Sequence, residues 1–375
     1  MDGRERLKEA RRVVVKVGTS TLAHRTGKLN LYRIEQLVRE IVDIANAGKE
    51  VVFVASGAQA AGMGRLGLRQ KPPEIPKRQV IAAIGQGVLM HTYEKIFAEY
   101  GQVVGQVLLT KENAVRHNQY HHSREALQAM LAMGIIPVVN ENDAVSVDEI
   151  KIGDNDNLAA IVATLVDADA LIILSDIEGL YTANPATHPE AELIHEIGDI
   201  TPEVEQLAGG AGSSIGTGGM YTKIEAAKIA TSAGVTMAIA KGSRPHVLRE
   251  LLTGEVVGTV FAAKEAHLKV RKSWLAFGKD LRGDISVDAG CARAMRERGS
   301  SLLAAGITAC DGTFAAGSTV RVLSPQGQEI ARGIVNYDNE TLKRIMGHQT
   351  EEFPQLLQGD IKDEVIHRDN MVLMV

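Results

Sequence analysis

The sequence predicts an α/β protein in two parts: an open αβα sandwich on a mainly parallel sheet, followed by a small β-barrel. Three observations predict it. Up to about Gly258, apolar β-branched runs alternate with amphipathic stretches, the order expected of right-handed βαβ units. Hydrophobic residues make up 45% of the 375 but aromatic residues only 4%, so the core must come from Val, Ile, Leu and Ala, as in strands covered on both faces. Past residue 281 the pattern shortens to strand-like runs between Gly, Asp and Asn turns.

Strands are expected at 13–17, 51–55, 103–109, 135–140, 171–175 and 236–240, each a run rich in Val, Ile, Leu or Ala. Between them lie helices. Residues 31–47 carry Ile34, Leu37, Val38, Ile41, Ile44 and Ala45 at helical spacing and stop at Gly48, a residue suited to the left-handed position after a helix. Residues 79–100, 123–133 and 158–166 repeat the pattern, and the charged first twelve residues also read as helical. Lys269, Arg271, Lys272 and Trp274 fit neither period, which places a linker over 264–281 between domains at 1–263 and 282–375. In the second domain strands are expected at 306–309, 319–323, 330–335 and 371–375, with one helix near 289–298. No internal repeat or low-complexity tract interrupts this plan.

Composition narrows the function classes. A net charge of −5 gives no general attraction to nucleic acid, so any polyanion site must be local. From Arg282 onward, 10 Lys and Arg face 13 Asp and Glu, the wrong balance for an RNA-binding face. Cys291 and Cys310 are too few for a disulfide framework or a structural zinc site, which fits a reducing cytoplasm. The N-terminus lacks the apolar core of a signal peptide, and no apolar run approaches the ~20 residues of a membrane span.

Ligands of open α/β sheets sit beyond the carboxyl ends of the strands, where this chain is small and polar. The first strand ends in Lys16-Val17-Gly18-Thr19-Ser20, the second in Ser56-Gly57-Ala58, the fourth in Asn140-Glu141-Asn142-Asp143 and the fifth in Ser175-Asp176. Lys16 is the sharpest anomaly, because an unpaired ammonium inside an apolar strand is costly. It either meets an anion or reaches solvent from an edge strand. Gly216-Thr217-Gly218-Gly219-Met220-Tyr221-Thr222-Lys223 reads as a phosphate cradle at a helix N-terminus, or as a surface loop with a solvated lysine.

Other motifs are weaker. No Gly-Lys-Ser/Thr occurs, which excludes a P-loop. Gly62-Met63-Gly64-Arg65-Leu66-Gly67 spells GxGxxG but lies several residues after its strand, so it is read as a flexible loop and not as a nicotinamide site. Asp154-Asn155-Asp156 lacks the calcium-loop spacing; one residue can cap the following helix, leaving carboxylate and amide to spare. His117, His121 and His122 lack partners at ligand spacing and read as solvated, so no metal site is assigned.

Taken in order, the loops at Lys16, Ser56, Asn140–Asp143, Gly153–Asp156 and 216–223 resemble the amino-acid kinase family, and the part from Gly283, with Gly317-Ser318-Thr319-Val320, resembles the PUA domain appended to many members. The resemblance implies phosphorylation of the γ-carboxylate of L-glutamate by ATP with Mg²⁺, in proline synthesis. It implies Lys16 and Lys223 on the transferring phosphoryl with Asp156 orienting both. Ser175, Asp176, Thr217, Gly218, Gly219, Met220, Tyr221 and Thr222, with the two lysines, would lie on the nucleotide. Ser56, Asp143 and Asn155 would lie on the amino acid: Asp143 pairing with its ammonium, Ser56 and Asn155 donating to a carboxylate. It further implies inhibition by proline, a homo-oligomer and a reductase that consumes the product. A relative acting on another carboxylate or carbamate, and a PUA-type RNA-binding protein, stay open as alternatives.

Overall fold

The computed structural model describes residues 2–24, 26, 28–110, 117–145, 155–209, 219–263, 281–357 and 361–374. The chain forms two compact units, residues 1–267 and 268–375. The linker expected at 264–281 lies outside the described residues except for Leu281.

In the first unit the strands are β1 (Arg12–Val17), β2 (Glu50–Val54), β3 (Val104–Leu109), β4 (Ile136–Glu141), β5 (Ala170–Ser175), β6 (Glu196–Ile197), β7 (Thr236–Lys241) and β8 (Thr259–Phe261). They form one sheet in the order β3-β4-β2-β1-β5-β7-β8-β6, parallel throughout except that β8 runs against β7. The six long strands fall where apolar runs predict them. The two short ones, β6 and β8, escape a sequence reading because two or three residues show no periodicity.

The helices are α1 (Gly3–Glu9), α2 (Thr19–Leu22), α3 (Leu31–Asn46), α4 (Ala58–Leu66), α5 (Ile75–Glu99), α6 (His117–Ala132), α7 (Asn155–Leu165), α8 (Pro202–Leu207), α9 (Met220–Ser232) and α10 (Val247–Thr253). Helices α6, α7 and α9 cover one face of the sheet, and α1, α3, α5 and α10 cover the other, with α4 packed on α5. Both faces are dry across β1, β2, β4, β5 and β7, which is why these strands read as continuous apolar runs. Helix α3 ends as expected, with Gly48 at φ 90° just past its cap.

The GxGxxG segment is not a loop. Gly62 and Gly64 lie within α4, which ends at Gly67 in a left-handed cap. The glycines serve helix packing: a Cβ on Gly62 would stand 1.9 Å from the carbonyl oxygen of Ile81, and one on Gly85 1.7 Å from that of Ala58. Helices α4 and α5 therefore touch backbone to backbone. Gly85→Ala should push them apart and lower stability by about 1–3 kcal/mol or more, read as a drop in urea midpoint at unchanged slope.

The second unit holds β9 (Leu281–Val287), β10 (Ile307–Gly312), β11 (Thr319–Leu323), β12 (Glu329–Ile334) and β13 (Met371–Leu373), with α11 (Ala289–Arg298), α12 (Asn339–Ile345) and α13 (Phe353–Leu356). Its sheet has the order β10-β9-β11-β12-β13, antiparallel except for the β9–β11 pair. Ile285, Met295, Val320, Ile330, Leu342, Phe353 and Ile366 close its separate core. Strand β9 carries Arg282, Gly283 and Asp284 in a row, which hid it from the sequence reading.

Candidate active site

Strand β1 lies in the middle of the sheet, hydrogen-bonded to β2 and β5, with Lys16 opposite Val54 and Ile173. A lysine there cannot reach bulk water, and Lys16 is only 4% exposed. It meets Asp156, in the first turn of α7, at 2.5 Å from Nζ to Oδ1. The other carboxylate oxygen, Oδ2, lies 3.0 Å from Nζ of Lys223 in the first turn of α9. Asp156 is fully buried and Lys223 is 4% exposed. The edge-strand and solvated-lysine readings of Lys16 and Lys223 are thereby excluded.

Helices α7 and α9 pack side by side, which brings two chain segments to one point. The Thr222 hydroxyl adds a contact to Asp156 Oδ2 at 3.1 Å and also lies 2.9 Å from the Gly219 carbonyl oxygen. Burial by itself would raise the Asp156 pKa, but the ammonium groups of Lys16 and Lys223, by charge and hydrogen bonding, hold it below the ordinary 3.8. Two ammoniums against one carboxylate leave an excess positive charge. Two helix N-termini add to it, so the place is suited to a polyanion.

A second cluster shares the first turn of α7. Asn155 Nδ2 lies 2.9 Å from each of three oxygens: the Ala55 carbonyl, Ser56 Oγ and Asn140 Oδ1. Ser56 and Asn140 are buried, at the ends of β2 and β4. Gly57, at φ 100°, turns the chain from β2 into α4 beside Thr19. Asp143 is half-buried in the turn after β4, whose start is fixed by Asn142 N–H donating to Leu109 O at 2.8 Å. The expectation that Asn155 donates to a substrate carboxylate needs correction: its amide hydrogens already face protein oxygens.

Ser175 ends β5 and donates from Oγ to Asp176 Oδ1 at 3.0 Å, while its carbonyl accepts from Gly242 N–H at 2.7 Å. Asp176 is exposed. Gly219 caps α9, Met220 begins it, and Tyr221 OH donates to Glu225 at 2.9 Å. Thr217 and Gly218 lie outside the described residues. The structure thus brings Lys16, Asp156, Thr222 and Lys223 into contact, and joins Ser56 to Asn155. Sequence reasoning missed Gln86, whose Oε1 accepts from Asn140 Nδ2 at 2.8 Å; a glutamine between Gly85 and Gly87 on a long helix gave little signal. His122 is exposed beside Glu125, and among the described residues no helix is long and apolar enough to cross a membrane.

Residues 11–241 match the amino acid kinase family and residues 283–357 the PUA domain. The chain is 52% identical to the glutamate 5-kinase of Moorella thermoacetica, across 98% of this chain and 97% of that protein. It is 49% identical to the glutamate 5-kinase of Carboxydothermus hydrogenoformans, across 99% and 100%. Identity to the glutamate 5-kinase of Caldanaerobacter subterraneus is 48%, across 97% and 98%.

Proposed function

The chain belongs to the amino acid kinase family and carries a PUA domain, and from that premise we propose that it transfers the γ-phosphoryl group of ATP to the γ-carboxylate of L-glutamate, giving L-glutamyl 5-phosphate for proline synthesis. The observation that carries the reading is the buried Lys16–Asp156–Lys223 array at the carboxyl ends of the strands. A γ-carboxylate, with a pKa of about 4.3, is already ionised at neutral pH and needs no general base. The obstacle is repulsion between the acceptor and a polyanionic triphosphate. Loose in-line transfer spreads charge over the moving phosphoryl oxygens, and fixed ammonium groups offset that charge without reorganising.

In this reading Lys16 and Lys223 contact the transferring group and the leaving β-phosphate, and Asp156 sets the spacing of the two. Ser175, Asp176 and the 217–223 segment hold the nucleotide, with N–H groups at the start of α9 turned toward phosphate. Ser56, Asn155 and Asp143 hold the amino acid. Mg²⁺ arrives on ATP, where phosphate oxygens and water supply most of its ligands. The protein works in the cytoplasm as a homo-oligomer, proline competes at or near the glutamate site, and a reductase consumes the reactive mixed anhydride.

The test is ADP release with L-glutamate, ATP and Mg²⁺, repeated with aspartate and carbamate as acceptors and with added proline. Glutamate-dependent release is expected; its absence, or faster release with another acceptor, would sink the assignment. Asp143→Ala should raise the KM for glutamate by more than about tenfold with little change in the KM for ATP, because its partner is the amino-acid ammonium. Equal rises in both would place Asp143 elsewhere.

A further inference from the structure

Beside the loop that carries Ser56, three amide side chains make a relay, with Asn140 buried and Gln86 and Asn155 half-buried. Gln86 Oε1 accepts from Asn140 Nδ2 at 2.8 Å, and Asn140 Oδ1 faces Asn155 Nδ2 at 2.9 Å. The identity of each amide atom can be read from the backbone groups that meet Asn140 and Asn155. The backbone N–H of Glu141 can only donate, and it lies 2.9 Å from Asn140 Oδ1, so that atom is the oxygen. The other atom of the Asn140 amide is then the NH2, and the Gln86 atom it meets must accept. At the far end the carbonyl of Ala55 can only accept, so the Asn155 atom 2.9 Å away is its NH2.

At the Ser56–Asn155 end of the relay, two groups keep hydrogen-bonding capacity. Asn155 Nδ2 has two hydrogens for three oxygen neighbours, so its donors are committed to the protein and Oδ1 is the atom left to offer. Ser56 Oγ faces the Asn155 NH2, which cannot accept, so the Ser56 proton is left to give. Among the described residues neither group has another partner.

We infer that this relay presets the polarity of the glutamate site: Ser56 donates to a substrate carboxylate, Asn155 Oδ1 accepts from the α-ammonium, and Gln86 is the positioning residue that holds the pattern through Asn140. The inference rests on the proposed glutamate reading. Gln86 is well placed for the task because its neighbour Gly85 locks α5 against Ala58, the first residue of α4 and two residues beyond Ser56. The close approach of α4 and α5 thus ties α5 to the loop that follows β2.

The test uses the full-length protein with Gln86→Leu, which removes the acceptor, and Gln86→Glu, which keeps one. Kinetics are measured for both substrates, alongside thermal melts. Gln86→Leu should raise the KM for L-glutamate by about tenfold or more while the KM for ATP stays within about twofold, and Gln86→Glu should recover most of the loss. Gln86→Met, which keeps the length of the side chain, serves if the leucine variant does not fold. An unchanged glutamate KM in the variant without an acceptor overturns the inference. So do equal rises in both KM values, or a glutamate variant no better than the leucine one. A parent protein that releases no ADP with L-glutamate overturns the glutamate reading itself, an outcome distinct from parental kinetics in Gln86→Leu.

Discussion

Replacing Lys16 or Lys223 with alanine is expected to lower kcat by about a hundredfold to a thousandfold, with a smaller change in either KM. Each ammonium is buried and shares one carboxylate, so its position is set before substrate arrives. A fixed charge of this kind matters most when phosphoryl oxygens gain charge in transfer, and least in the ground state. Either variant leaves Asp156 one partner, so the fold should persist, and far-ultraviolet circular dichroism alongside steady-state kinetics would check both points. Near-normal turnover in either purified variant would remove the array from the reaction.

Asp156→Asn should do more harm, because it acts on both lysines at once and on stability as well as rate. Removing one partner from a buried ion pair costs roughly 3–5 kcal/mol, since the charge left behind stays desolvated. Here two ammoniums would be left. The expected result is a large fall in melting temperature together with loss of activity below that of either lysine variant. The pH dependence has a definite sign. The folded-state pKa of Asp156 lies below its ordinary 3.8, against the push of burial, because both ammoniums favour the ionised form. Its stabilising contribution is therefore present above about pH 4 and is lost as pH falls through the lower folded-state value. Urea titrations of parent and Asp156→Asn between neutral pH and pH 3 should draw closer together as pH falls below about 4; curves that stay parallel would contradict the linkage.

Much of this was legible in the chain because it violates a local rule. A lysine in a β-branched strand has few physical explanations, and Lys16 pointed to a buried anion before its partner was known. Long strands were readable because both faces are covered, which makes hydrophobicity continuous. What escaped was what depends on partners distant in sequence. Gly62 and Gly85 are meaningful only because two helix backbones meet there, so the first looked like part of a loop. Gln86 and Asn140 are ordinary polar residues until the fold sets one amide against the other. The orientation of the Asn155 amide lay equally out of reach, since sequence names an amide but not which end faces protein oxygens.

Asp156 is gripped from both sides by residues at opposite ends of the first unit. Synthesis delivers these three residues at different times, Lys16 early and Lys223 only when most of the unit has left the ribosome. A nascent chain that stops before α9 holds a carboxylate with one ammonium and no second clamp. On the proposed reading, productive handling of ATP depends on the far segment having been made and docked, so prematurely terminated fragments would not spend it.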